Sequence, residues 1–177
     1  MRHVRSALLI ACTAFAPVTF AGATTLDYQG YAWETGGFPP SAPGDSLRIP
    51  IVVTSMTSEL GLDPANEEVT GFISGLASSG PQAGGDGIVF FAFGTGRMEF
   101  YRDPSRDRDY GEFPPNATAP ATFTNGTLCL GGTVHDFILY FDAETGSGAY
   151  EGTVTFDDGT CLSQLSAASA EGFTFGG

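Results

Sequence analysis

Two acidic loops contain carboxylates at spacings that could hold a calcium ion. The candidate ligands are Asp103, Asp107, Asp109 and Glu112 in the first loop, and Asp142 and Glu144 in the second. Calcium takes about six to eight oxygen ligands, mostly carboxylates and carbonyls on a turning chain. Neither loop has the EF-hand spacing, and the first also contains three arginines that can pair with its aspartates. The loops therefore allow two hypotheses, a calcium site or a solvated acidic surface with weak ion pairs.

Aromatic residues beside polar loops form a second candidate site, one that would bind a glycan. These residues are Tyr31, Trp33, Phe38 and Tyr110. An aromatic ring offers a broad apolar face, and tyrosine and tryptophan add a polar group at one end, which suits a platform for a sugar ring. The alternative is that these rings cap the ends of the hydrophobic core. Fold type adds little to the argument, because one fold can carry many functions.

The sequence offers little for catalysis. His135 is the one histidine after residue 23, and no G-x-S-x-G or H-E-x-x-H motif is present. Glycoside hydrolysis needs two carboxylates at a fixed separation, and twenty acidic residues do not single out a pair. A non-enzymatic binding or structural role is therefore predicted, and a small secreted carbohydrate-active enzyme is the alternative. An enzyme would need a cleft with a carboxylate of raised pKa, whereas a binding module would need an exposed aromatic platform.

The charge of the chain restricts its partners. The formal net charge is −13, and all seven basic residues are arginine. Such a surface repels nucleic acid and anionic membranes. The partners predicted are therefore a polysaccharide or another surface protein, with calcium as the one cofactor considered.

Residues 1–23 have the pattern of a signal peptide. A basic start through Arg5 is followed by an uncharged apolar run and by the small residues 21–23, so cleavage is predicted after Ala23. A lipoprotein anchored through Cys12 is the alternative, but the apolar run before Cys12 is shorter than the usual 7–15 or so residues. We expect a secreted or periplasmic protein, and no later stretch is long enough to span a membrane.

The stretch from Thr127 to Leu162 predicts a long β-hairpin. Residues 150–157 alternate apolar and polar, which is typical of a half-buried strand, and residues 134–141 are apolar on both faces, which favours a central strand. The turn formers of residues 142–148 lie between them. This geometry brings Cys129 and Cys161 together and predicts a disulfide.

The remaining pattern predicts an all-β protein. Strands are expected at residues 26–34, 46–56, 67–77, 88–93, 97–101, 121–125 and 171–175, with a short helix within 160–170. Residues 78–87 are expected to form a loop, 88–93 the most buried strand, and Pro50 an edge or bulge position. About eight to ten short strands with regular turn signals favour a two-sheet antiparallel sandwich of Greek-key or jelly-roll type. The sequence predicts one domain over residues 24–177.

Overall fold

A computed structural model describes residues 24–36, 41–57, 60–111 and 120–177 of the chain. The strands are β1 (Leu26–Gly30), β2 (Trp33–Glu34), β3 (Ser46–Met56), β4 (Glu68–Gly85), β5 (Ile88–Phe93), β6 (Gly96–Asp103), β7 (Thr127–Asp142), β8 (Ser147–Asp158) and β9 (Phe173–Gly176). The described helical elements include α1 (Ala167–Glu171) and single 3₁₀ turns at Pro120–Phe123 and Leu162–Gln164. The all-β prediction is confirmed. The predicted signal peptide, with Cys12, lies outside the described residues.

The described strands form one antiparallel sheet. Their order is β1-β3-β4-β5-β7-β8-β9, with β2 also on β3 and β6 also between β4 and β7. Strands β5 and β6 occupy the same position in the strand order, between β4 and β7. Residues 78–85 of β4 pair with β5, and residues 68–74 pair with β6. A division into two separate sheets is not confirmed, because every described strand belongs to the same sheet.

The sheet curls until its two edge strands approach each other. Strands β1 and β9 lie at opposite ends of the strand order. Even so, the Tyr28 hydroxyl of β1 donates to the Gly176 carbonyl of β9 at 3.1 Å. The Tyr150 hydroxyl of β8 donates to the Tyr28 hydroxyl at 3.0 Å. Side chains, rather than a backbone ladder, therefore connect the two edges here.

The inner face of the curl holds the main hydrophobic core. The period-two pattern explains how it forms, since Ile49, Ile51 and Val53 of β3 all turn to this face and are at most 3% exposed. Phe137 of β7 packs on Phe93 of β5 with ring centroids 5.4 Å apart. Each such buried side chain stabilises the fold by about 1.5–3 kcal/mol relative to exposure.

The hairpin of β7 and β8 matches the sequence prediction. The two strands pair antiparallel from Gly131 to Asp142, with an irregularity between His135 and Ile138. Cys129 and Cys161 form a disulfide with their Cα atoms 4.9 Å apart. The Cys161 N–H donates to the Cys129 carbonyl at 2.8 Å. The disulfide is compatible with an extracellular location.

Three local predictions were wrong. Residues 78–85 are strand rather than loop, because β4 continues past a register shift at Gly80, whose φ of +88° suits glycine. Residues 120–123 form a 3₁₀ turn rather than part of a strand, because Phe123 is buried against the sheet. Strand β3, where residues 49–53 are all buried, is more buried than β5.

Pro50 was predicted at an edge or a bulge, but it lies in an interior strand, because β3 has neighbours on both sides. The irregularity in the pairing of β3 with β4 falls at residues 47–49 instead. The predicted helix in residues 160–170 corresponds to the 3₁₀ turn Leu162–Gln164 and to α1. None of the helices in the described part of the chain is long and apolar enough to cross a membrane.

Candidate functional site

The outer face of the sheet carries a second, smaller set of apolar side chains. Val52 and Phe123 are buried there, apart from the main core. The Thr70 hydroxyl, itself fully buried, donates to the Phe123 carbonyl at 3.0 Å. The turn Pro120–Phe123 therefore packs on the outer face of β3 and β4. This anchors the polar loop that precedes β7.

Two tyrosines extend this small cluster towards solvent. The Tyr110 ring contacts Phe123, with centroids 4.9 Å apart, and Tyr31 meets Tyr110 edge to face at 5.0 Å. The Tyr110 hydroxyl donates to the Gln29 carbonyl at 3.4 Å, and burial raises its pKa. Tyr31 is 54% exposed. The row of rings thus runs from a buried anchor to an exposed end.

A second aromatic pair lies on the same face. The Trp33 and Phe72 rings are 6.4 Å apart and both are half-buried. Phe72 shares the face of Thr70 because side chains alternate along a strand. Phe72 also pairs with Pro50, whose carbonyl accepts the Tyr31 N–H at 3.3 Å. We call the surface formed by Tyr31, Trp33, Phe72 and Tyr110 the aromatic face.

A polar network borders the aromatic face. Glu99 of β6 lies directly opposite Phe72 of β4. Its carboxylate accepts from the Tyr101 hydroxyl at 3.0 Å and from Arg97 Nε at 3.2 Å. Arg97 also donates to Asp157 at 3.0 Å. Burial and the charge of Glu99 raise the pKa of Tyr101 to about 12, so its hydroxyl stays protonated as a donor.

Gly131 lets Arg97 reach across β7. A Cβ at Gly131 would lie 2.5 Å from Arg97 Nη2, which is closer than a Cβ atom comes to a non-bonded atom in a protein. Arg97 therefore passes over the glycine to Asp157 and Asp158 of β8. We call Arg97, Glu99, Tyr101 and Asp157 the polar network.

The structure brings together three of the four aromatic residues singled out from the sequence. Tyr31, Trp33 and Tyr110 lie on the aromatic face, whereas Phe38 falls outside the described residues. Sequence reasoning missed Phe72 as a site residue. The alternation of side chains along β4 could have identified it, because Phe72 shares the face of Thr70 and Ser74 rather than the face of Val69 and Ile73.

The predicted calcium ligands of the first loop have local partners. Asp107 accepts two hydrogen bonds from the Asn125 amide at 3.1 Å, and Asp109 accepts from the Gly111 N–H at 2.8 Å. Asp103 is buried and accepts from the Ser105 N–H at 2.8 Å. Within the described ranges no three acidic, histidine or cysteine side chains are grouped as metal ligands, and Glu112 lies outside those ranges.

The arginines of this loop pair elsewhere. Arg102 binds Glu67 at 3.0 Å, and Arg108 binds Glu68. The partners of these arginines are thus glutamates at the start of β4 and in the turn before it, rather than aspartates of the loop. The pairs hold the loop to the sheet.

The second predicted calcium loop is the turn between β7 and β8. The Asp142 carboxylate accepts from the Glu144 N–H at 2.8 Å and from the Thr145 hydroxyl at 2.8 Å. These hydrogen bonds, that of Thr145 foremost, lower the pKa of Asp142 and fix the turn. Calcium binding at either loop stays a prediction, which a thermal melt in calcium and in EDTA would test.

Comparison with protein families, characterised proteins and solved structures finds no match to the chain. The aromatic face offers ring surfaces that can stack on an apolar ligand face. The polar network beside it offers donors and acceptors in fixed positions.

Proposed function

We propose that this protein is an exported, non-enzymatic binding module whose aromatic face takes a neutral polysaccharide. One observation supports the proposal above all. The pairs Trp33–Phe72 and Tyr31–Tyr110 lie on one face, with the polar network at its border. In this proposal opposite parts of the curled sheet pack on each other as the two layers of the sandwich that the sequence predicted. The ligand binds on the outer surface of one layer, at the aromatic face.

The two parts of the site match the two kinds of surface on a sugar. The C–H faces of a pyranose are apolar and can lie on the rings of Trp33 and Tyr31. Its hydroxyls can donate to Glu99 and accept from Arg97. Both side chains are already held by hydrogen bonds, so little conformational entropy is lost on binding.

Charge favours a neutral glycan over an acidic one. The chain has a formal net charge of −13. At the site, Arg97 contacts three carboxylates, those of Glu99, Asp157 and Asp158, so the polar network is itself negative. A uronate or sulfate polymer would be repelled.

The proposed export rests on the predicted signal peptide and on the disulfide. A disulfide persists in an oxidising compartment, and Cys129–Cys161 joins β7 to the turn that follows β8. A polysaccharide of the cell exterior would meet the protein there. Mass spectrometry of the intact exported protein would test cleavage after Ala23.

Affinity electrophoresis in gels that contain neutral β-glucan, mannan or xylan tests the glycan proposal. We expect one of these polymers to retard the protein, and Trp33→Ala and Tyr31→Ala to lose most of that retardation. Tyr140→Ala is the matched control, because Tyr140 is also an exposed tyrosine, 38% accessible, but lies on β7 away from the aromatic face. Equal retardation of all three variants, or retardation only by acidic polymers, would overturn the proposal.

A further inference from the structure

An apolar cavity at one end of the curled sheet contains a single acidic side chain among its described lining residues. Its volume is about 310 Å³, at the low end of small-molecule sites, which run from about 300 to 1,000 Å³. The lining includes Leu47, Leu139, Phe141 and Tyr150, together with Glu34. The cavity lies between β2 and β3 on one side and the hairpin of β7 and β8 on the other.

Glu34 extends from the inner face of β2. It pairs with Leu47 of β3, which is 3% exposed and belongs to the main core. Glu34 is itself 7% exposed, and among the described residues no hydrogen-bond donor pairs with either of its carboxylate oxygens. The nearby Ser41 hydroxyl donates to Ser78 Oγ at 2.7 Å instead. The structure thus buries a carboxylate that no described group satisfies.

Burial of this kind is unfavourable for folding. An unpaired buried polar group reduces stability, and it does so more strongly when the group is charged. Desolvation raises the pKa of Glu34, and Asp45 adds to the rise, while the proximity of Ser41 opposes it. Leucine at this position would fill a similar space without that penalty. A role in binding accounts for a carboxylate that packing does not need.

We infer that this cavity binds a small amine with an apolar body, and that its ammonium group donates to Glu34. A charge-assisted N–H···O bond is the strongest contact available to an isolated carboxylate. The rings of Phe141 and Tyr150 in the lining add attraction for a cation. Trp33 borders both this cavity and the aromatic face, but the two sites use opposite sides of the sheet, because Glu34 turns to the inner side and the Trp33 ring packs on Phe72 of the outer side.

Isothermal titration calorimetry with three probes of one shape tests this inference. The probes are 2-phenylethylamine, 2-phenylethanol and 3-phenylpropionate, which carry a cationic, a neutral and an anionic head. We expect the amine to bind at least about tenfold more tightly than the alcohol, and the acid not to bind, because the charged pair forms in an apolar site. Equal affinity for amine and alcohol, or no heat from the amine at millimolar concentration, would overturn the inference.

Two variants separate the roles of Glu34 and of the cavity. Glu34→Gln keeps the shape and removes the charge, so amine binding should weaken by at least about tenfold. Leu139→Phe fills the space while Glu34 stays, and should block all three probes. Glu151→Gln, on the exposed surface of β8, is the charge-matched control and should bind the amine normally. Unchanged amine affinity in Glu34→Gln would contradict the proposed contact. Retardation by glycan should be unaffected in Glu34→Gln, so the two proposals fail separately.

Discussion

The Tyr150 hydroxyl donates a 3.0 Å hydrogen bond to the Tyr28 hydroxyl, and this contact joins β8 to β1 where the edges of the sheet meet. The Tyr28 hydroxyl in turn donates a hydrogen bond to the Gly176 carbonyl of β9. Burial raises the pKa of both phenols, so both stay protonated over the physiological range. The pair connects edges that no described backbone ladder joins.

Removal of the Tyr28 hydroxyl should loosen this closure. Tyr28→Phe leaves the Gly176 carbonyl without its donor, so we expect the free energy of unfolding to fall by about 1–3 kcal/mol. Tyr150→Phe keeps the bond from Tyr28 to Gly176 and should have the smaller effect. Urea denaturation gives both values, and amide exchange in β9 should quicken more in Tyr28→Phe. Equal losses in the two variants would contradict this order.

Two adjacent glycines of β7 should respond differently to alanine. In Gly132→Ala the new Cβ would lie 2.5 Å from the Thr155 carbonyl oxygen, a backbone atom that cannot move aside. We expect a loss of about 2 kcal/mol or more in stability. In Gly131→Ala the close contact of the Cβ is with the end of the Arg97 side chain, which can shift by giving up its contacts on β8, so the fold should lose about 1 kcal/mol or less.

Gly131→Ala should nevertheless weaken glycan binding, because Arg97 has to leave Asp157. Denaturation and affinity electrophoresis of both glycine variants measure the contrast. Normal retardation in Gly131→Ala would show that the Arg97 position does not matter to the ligand.

The buried Glu34 should make stability depend on pH. Its pKa in the folded protein is raised above the ordinary 4.5, so the folded state holds the proton more tightly than the unfolded state. The free energy of unfolding should therefore fall as pH rises from about 4.5 through that raised pKa. Glu34→Gln should remove this fall and should be the more stable protein at neutral pH. A less stable Glu34→Gln at neutral pH would mean that the carboxylate has a stabilising partner.

The disulfide should contribute much of the stability of the hairpin. Cys129 and Cys161 are 32 residues apart, so the bond restricts a long loop in the unfolded chain. We expect the double variant Cys129→Ala, Cys161→Ala to lose roughly 3–4 kcal/mol. Chemical denaturation of the oxidised protein and the variant gives the difference. A loss below about 1 kcal/mol would show that the unfolded chain keeps these residues close.

The sequence predicted the local elements better than their arrangement. The alternation of residues 150–157 located β8, the apolar run of residues 134–141 located β7, and the hairpin geometry that brings Cys129 and Cys161 together predicted the disulfide. Residues 78–85 read as a loop because Gly80 and Pro81 disfavour strands, yet pairing with β5 overrides that preference. The single curled sheet depends on contacts such as that from Tyr28 to Gly176, 148 residues apart, which no local pattern reveals.

The candidate sites were predicted only in part. Tyr31, Trp33 and Tyr110 drew attention as rings beside polar loops. The unpaired state of Glu34 was not visible in the sequence, because burial depends on how β2 docks against the hairpin of β7 and β8. The same holds for the reach of Arg97 over Gly131, which requires the register of β6 on β7.

Polymer binding by Trp33→Ala is the sharpest test of whether the aromatic face binds a neutral glycan. The comparison is with Tyr140→Ala, in affinity gels that contain a neutral polysaccharide, after both variants have been shown to unfold at wild-type urea concentrations. We expect Tyr140→Ala to be retarded like the wild type and Trp33→Ala to lose most of the retardation. Full retardation of Trp33→Ala would contradict the account.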